Sequence, residues 1–139
     1  MGLTASLKKS IYIYPTPNIK CEINIEKKNK KIEIEMPFYI EKTVINFYND
    51  WPIHNWLIKN SGIAEGHKSD VSSEELSNMV NDIQTVLLDN ALAPKLFPDY
   101  FTNNYDETYF VNLKFSMDKI NNLLAECKDN WDFTYESWI

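Results

Sequence analysis

Six residues have the types and spacing to build a small ligand-holding or acid–base site: His54, Trp56, Tyr105, Asp106, Glu107 and Tyr109. An imidazole needs a second group to fix its tautomer before it can move a proton or grip a ligand. Asp106 or Glu107 would serve if the fold brought either one to His54. Tyr105 and Tyr109 are four apart and would share a helix face beside them. A plainer reading runs alongside. A histidine among Trp51, Trp56 and Leu57 is usually a structural hydrogen-bonder. Acids in a first helical turn complement the macrodipole, and Glu107 would complete a capping box. The spacing therefore assigns no catalytic residue, and an enzyme is the less favoured class.

Other chemistry has little footing. His67 and Asp70 are three apart, with no obvious third ligand. The chain has no zinc, EF-hand, glycine-rich phosphate or Gly-x-Ser-x-Gly pattern. No metal or cofactor is expected. Cys21 and Cys127 stand outside any CxxC cluster and read as core or near-core thiols in a reducing cytoplasm. No apolar run approaches the length of a membrane span.

Charge narrows the partners. The chain has 139 residues and a net charge of −6, and all 14 basic residues are lysines. Without arginine there is no guanidinium fork for phosphate or guanine. Residues 1–60 hold nine lysines and six acids, a net of +3; residues 61–139 hold five lysines and fourteen acids, a net of −9. That split argues against direct nucleic-acid binding and favours a basic protein surface as partner. Glu65, Asp70, Glu74, Glu75, Asp82 and Asp89 are the candidate protein-binding acids.

The elements that must position these groups follow from periodicity. Residues 11–14 read as a short strand. Ile19, Cys21, Ile23 and Ile25 alternate, as do Ile32, Ile34 and Met36, around Lys27-Lys28-Asn29-Lys30. That is a hairpin over 11–36 with a lysine-rich tip, its acids expected to face lysines across the ladder. The apolar positions at 44, 45, 47, 48, 51, 53, 56, 57 and 58 are read as a crowded, buried helix or two short ones, within a helical region spanning 41–127. Gly62 is a fitting stop. The next helix starts at Ser73, capped by Ser72 with Glu75 three residues on, and its stripe runs from Leu76 to Leu87. The aromatic loop holding Leu96, Phe97, Tyr100 and Phe101 is expected to pack down over the core. The last helix is expected to be capped by Asn104, and residues 128–139 to form a C-terminal strand or tail. The whole is a single α+β domain: a small antiparallel sheet against three or four helices.

Two stretches carry a resemblance. Phe47-Tyr48-Asn49-Asp50-Trp51-Pro52-Ile53-His54-Asn55-Trp56-Leu57 resembles the aromatic-x6-His-x-Trp-Phe helix of a group of small bacteriophage and prophage proteins. Phe101-Thr102-Asn103-Asn104-Tyr105-Asp106-Glu107-Thr108-Tyr109-Phe110 is similar to their second block, Gly-x-x-x-Tyr-Asp-Glu-x-Tyr, which opens the final helix. The order of elements matches over about residues 36–125. Phe47 stands where the group shows tryptophan, and Phe101 where it shows glycine. The resemblance implies a viral origin and no particular reaction.

Three classes of function fit this reading. The first is a viral accessory protein that binds and inhibits a host protein, an immunity factor being the concrete case, in the host cytoplasm. The second is a small-ligand-binding protein or enzyme built on His54, Tyr105, Asp106 and Glu107. The third is a structural or assembly subunit, a homodimer through Trp131, Phe133, Tyr135 and Trp138.

Overall fold

The structure of the protein is a computed structural model that describes residues 2–13, 21–24, 31–34, 38–64, 66–127 and 132–139. In chain order the elements are β1 (Thr4–Ile13), β2 (Cys21–Asn24), β3 (Lys31–Ile34), β4 (Phe38–Tyr48), α1 (Trp51–Ser61), β5 (Lys68–Val71), α2 (Ser73–Leu88), α3 (Ala93–Leu96), α4 (Glu107–Glu126) and β6 (Asp132–Trp138). A 3-10 turn, Asn90–Leu92, leads into α3. The main sheet has the order β4-β1-β6-β5 and every neighbour is antiparallel. The α+β class expected from the sequence is the class observed.

The sheet is larger at its N-terminal end than the sequence reading gave it. Leu3, Ala5 and Leu7 alternate with Thr4, Ser6 and Lys8, which is the period of a strand buried on one face. Leu3, Ala5 and Leu7 are all buried. Residues 38–48 are strand, not the start of a helix. The cause of the misreading is a bulge. Leu7 pairs with Ile45, but Lys8 pairs with Thr43, so Val44 is an extra residue in β4. A bulge breaks strict alternation and lets apolar residues fall side by side. The run Val44-Ile45 then imitates helical crowding. Beyond the bulge, Ile45 and Phe47 face the core, and Tyr48 is exposed.

β2 and β3 pair with each other in a separate two-stranded ladder, with Ile23 opposite Ile32 and Cys21 opposite Ile34. This is the expected hairpin pairing, and its lysine-rich tip lies outside the described residues. The register sets Glu22 opposite Glu33 rather than opposite a lysine. Between Gly62 and the start of α2, four residues form β5 and close the far edge of the main sheet through Val71 and Phe133.

Helix starts and stops follow local chemistry. Pro52 sits in the first turn of α1, where a missing N–H costs nothing. Gly62 ends that helix at φ 63°, the left-handed conformation glycine adopts freely. Ser72 caps α2, its Oγ accepting from the Glu75 amide at 3.0 Å. The cap of α4 is Asp106, not Asn104. Its Oδ1 accepts from the Tyr109 amide at 3.0 Å, while Asn104 Nδ2 donates to Oδ2 at 3.1 Å. Glu107 is therefore the first helical residue, two positions too early for a capping box.

The core lies between one face of the sheet and the helices. Ala5, Leu7, Ile45, Phe47, Phe133 and Tyr135 meet Ile53, Leu57, Leu76, Met79, Ile83 and Ile120 there. Burial of this kind stabilises by about 25 cal/mol per Å² of apolar surface. Across the sheet, Lys8 Nζ stands 2.8 Å from Glu136 and 3.4 Å from Glu41, and Glu41 also meets Lys68. The hydrogen bond to Glu136 is the main cause that holds the Lys8 ammonium above the ordinary lysine value.

Candidate functional site

The corner between β4 and α1 positions the most chemically loaded part of the molecule. Asn49 adopts φ 53°, a left-handed turn that asparagine tolerates. Its Oδ1 accepts from the Leu3 amide at 2.9 Å, and its own amide donates to the Leu3 carbonyl at 2.8 Å. The corner is thus tied to the start of β1. The next residue, Asp50, takes the N-cap position of α1, and Ser116 Oγ of α4 donates to its Oδ2 at 2.8 Å. Burial raises the Asp50 carboxyl above the ordinary aspartate range. The Ser116 hydroxyl, the Ile53 amide and Lys119 oppose that rise, and Asp99 adds to it.

From this corner the site residues separate. His54 is fully buried, its Nδ1 2.9 Å from the Tyr135 hydroxyl. Trp51 meets the imidazole edge-on, with ring centres 5.8 Å apart, and stacks on Phe101 at 5.6 Å. Trp56 is also buried and donates through Nε1 to Asp82 Oδ2 at 2.8 Å. Tyr109 donates to the Phe97 carbonyl at 2.7 Å. Tyr105 packs edge-on against Tyr109 with centres 5.0 Å apart, and its hydroxyl accepts from the Asp99 amide at 3.1 Å. Burial is the first cause that raises both Tyr109 and Tyr135 well above the ordinary phenol value.

The six-residue constellation therefore falls into two groups. His54 and Trp56 are joined to Tyr135 and Asp82 inside the fold. Tyr105, Asp106 and Tyr109 gather at the start of α4, where Glu107 lies exposed at the surface. The aromatic loop is divided as well: Phe97 is buried, whereas Tyr100 and Phe101 are 81% and 63% exposed.

A cavity of about 510 Å³ opens beside the corner. Its walls come from the end of β4, the start of α1, the loop after α3 and the face of α4 as far as Lys119. Asp50, Asp99, Asp106 and Lys119 are its charged residues, joined by Asn46, Asn49 and Asn112, and Tyr109 also lines it. His54 is not among its lining residues. Asp99 is held by its own turn, its Oδ1 accepting from the Phe101 and Thr102 amides, each at 3.1 Å. The cavity can thus offer carboxylate and amide oxygens, fixed in direction, to a donor-rich ligand. Sequence reasoning missed Asp50, Asp99 and Ser116. The signal for Asp50 was partial: a proline near a helix start with an acid just ahead of it marks the neighbourhood of an N-cap.

The acids named for protein binding are spread around α2 and β5. Asp70, Glu74 and Asp89 are exposed, and Asp89 Oδ1 also accepts from the Ala91 amide at 3.2 Å. Glu75 and Asp82 are half-buried, and Glu65 lies outside the described residues. Of the aromatics considered for a dimer face, Phe133 and Tyr135 are core residues, Trp138 is half exposed, and Trp131 lies outside the described residues.

Among the described residues no three His, Cys, Asp or Glu side chains gather as a metal set, and no helix is long and apolar enough to cross a membrane. Comparison with protein-family models, curated proteins and solved structures returned no match.

Proposed function

We propose that the protein binds a basic surface of another protein and blocks it by occupying that surface. The observation that carries this reading is the charge of the cavity at the β4–α1 corner, where three aspartates face a single lysine. The −9 net charge of residues 61–139 and the exposed Asp70 and Glu74 extend the same sign over the surface. Such a field speeds encounter with a basic partner and sets its orientation. The resemblance to small phage proteins makes the concrete version a viral accessory protein acting on a host immunity factor. The test is affinity purification from the host with the wild-type chain and with a D70K/E74K variant. A single stoichiometric partner, lost or weakened in the variant and weakened by salt, supports the reading. Equal capture by both proteins would rule out recognition through the Asp70 and Glu74 surface.

A second reading has one observation in its favour. About 510 Å³ is within the usual range for a small-molecule site. A polar metabolite bearing amines or several hydroxyls would suit the aspartate and asparagine lining. Thermal-shift screening of the wild type against an Asn112→Leu variant tests it: a stabilising compound whose effect disappears in the variant would favour this reading.

A further inference from the structure

The long edge of the sheet carries an inference about how the partner is held. It rests on the protein-binding reading above and names the form of the partner. Among the described residues β4 pairs only with β1, so its other side is an open edge. It runs for 11 residues, whereas β5 at the opposite edge has four. An open edge presents alternate N–H and C=O groups to any extended chain laid beside it. Thr43, Asn46 and Tyr48 are exposed along it, Tyr48 by 71%.

The space next to this edge is a trough. The 510 Å³ cavity and a second of about 590 Å³ share Asn46, Tyr48 and Lys119, so they run end to end between β4 and α4. The ends differ in charge. Asp50, Asp99 and Asp106 line one, while Lys9, Lys42 and Glu126 line the other. The exposed ring of Phe115 stands on the α4 wall, with Lys119 Nζ 4.6 Å from its centre.

We propose that an extended, lysine- or arginine-bearing segment of the partner protein adds to the sheet as a fifth strand along residues 40–48, with its basic end over Asp50, Asp99 and Asp106. Main-chain bonds to the edge supply affinity and the charged end of the trough fixes direction. A second copy of this chain is the weaker occupant. The Val44 bulge twists the edge away from flat self-pairing, Lys42 would meet its own kind nearby, and each copy brings a net −6.

The test uses the folded full chain and a displayed library of random peptides of about 12 residues. Selected peptides should concentrate Lys or Arg toward one end. Main-chain N-methylation at alternate residues should weaken binding about tenfold or more in one phase and leave it unchanged in the other. Amides of residues 40–48 should gain protection from hydrogen exchange. Asn46→Lys, at an exposed position, should weaken binding while the circular dichroism stays that of the wild type.

The inference is overturned if no peptide binds below about 1 mM, if both methylation phases act equally, or if protection appears on α2 instead. Protection of β4 that grows with protein concentration, without peptide, would assign the edge to a second copy and also overturn it. Partner capture that fails in D70K/E74K but survives Asn46→Lys would sink the edge inference and leave the proposed function standing. Capture indifferent to both variants would remove both.

Discussion

The imidazole of His54 and the phenol of Tyr135 meet 2.9 Å apart inside the core, linking α1 to the C-terminal strand across 81 residues of sequence. Both residues are essentially without solvent contact. Removing one partner leaves a buried polar atom of the other unsatisfied, which costs about 1–3 kcal/mol. Tyr135→Phe keeps the ring and deletes only the hydroxyl. It should lower stability by about that amount in urea unfolding, with little change in the denaturant slope. An unchanged midpoint would show that the pair contributes nothing net.

The pH dependence at the alkaline end follows from two phenols. Burial raises Tyr135 and Tyr109 above the ordinary value of 10.0. Above that pH the unfolded chain has released these protons and the folded chain still holds them. The unfolded state then binds fewer protons, so stability falls as pH rises. Two retained protons give a slope of up to about 2.7 kcal/mol per pH unit. Tyr109→Phe should shallow the slope by about one proton, measured by urea titrations between about pH 9 and 11.5.

Asp50 carries the same sign at lower pH. Its folded value lies above the ordinary 3.8, so the folded protein holds its proton more tightly than the unfolded chain does. The stability linked to that proton is full at low pH and is lost as pH rises through the folded value. Asp50→Asn removes the charge, keeps an acceptor for Ser116 Oγ, and preserves a good N-cap. The variant should be no less stable than wild type at pH 7, with any gain fading below about pH 4. A large loss of melting temperature at pH 7 would show that the ionised form is the stabilising one.

Acids of the same formal charge should divide by what they touch. Asp82 accepts the indole N–H of a buried Trp56, whereas Asp70 is exposed on a short edge strand. Asp82→Ala should cost about 1–3 kcal/mol, and Asp70→Lys should stay within about 0.5 kcal/mol. Differential scanning calorimetry of the two variants checks this. It also shows which acids can be reversed in binding experiments without loosening the fold.

Much of the helical half was legible. Leu76, Met79, Val80, Ile83 and Val86 recur at three and four and all are buried in α2, and Ser72 caps it as its spacing implies. The same holds for Tyr109, Leu113, Met117 and Ile120 in α4. β4 was not legible, because one inserted residue at Val44 shifts the phase of alternation and periodicity has no way to represent a bulge. β5 is only four residues, too short for any period to declare itself. The candidate site was half legible. The start of α4 gathers Tyr105, Asp106 and Tyr109 as their spacing suggests. The partners of His54 and Asp50, however, are Tyr135 and Ser116, distant in sequence, and only the tertiary packing brings them near.

The place of β6 in the sheet has a consequence in time. It lies between β1 and β5, and Lys8 of β1 waits for Glu136, 128 residues later, to complete its ion pair. As the ribosome releases the chain, β1 first has only β4 beside it and β5 has no strand at all. The helices then stand over a divided floor, with the β6-facing edges of β1 and β5 unpaired, until that strand arrives. Closure of this sheet therefore waits on the last of its strands in chain order, and β6 acts as the keystone between two halves that cannot pair with each other without it.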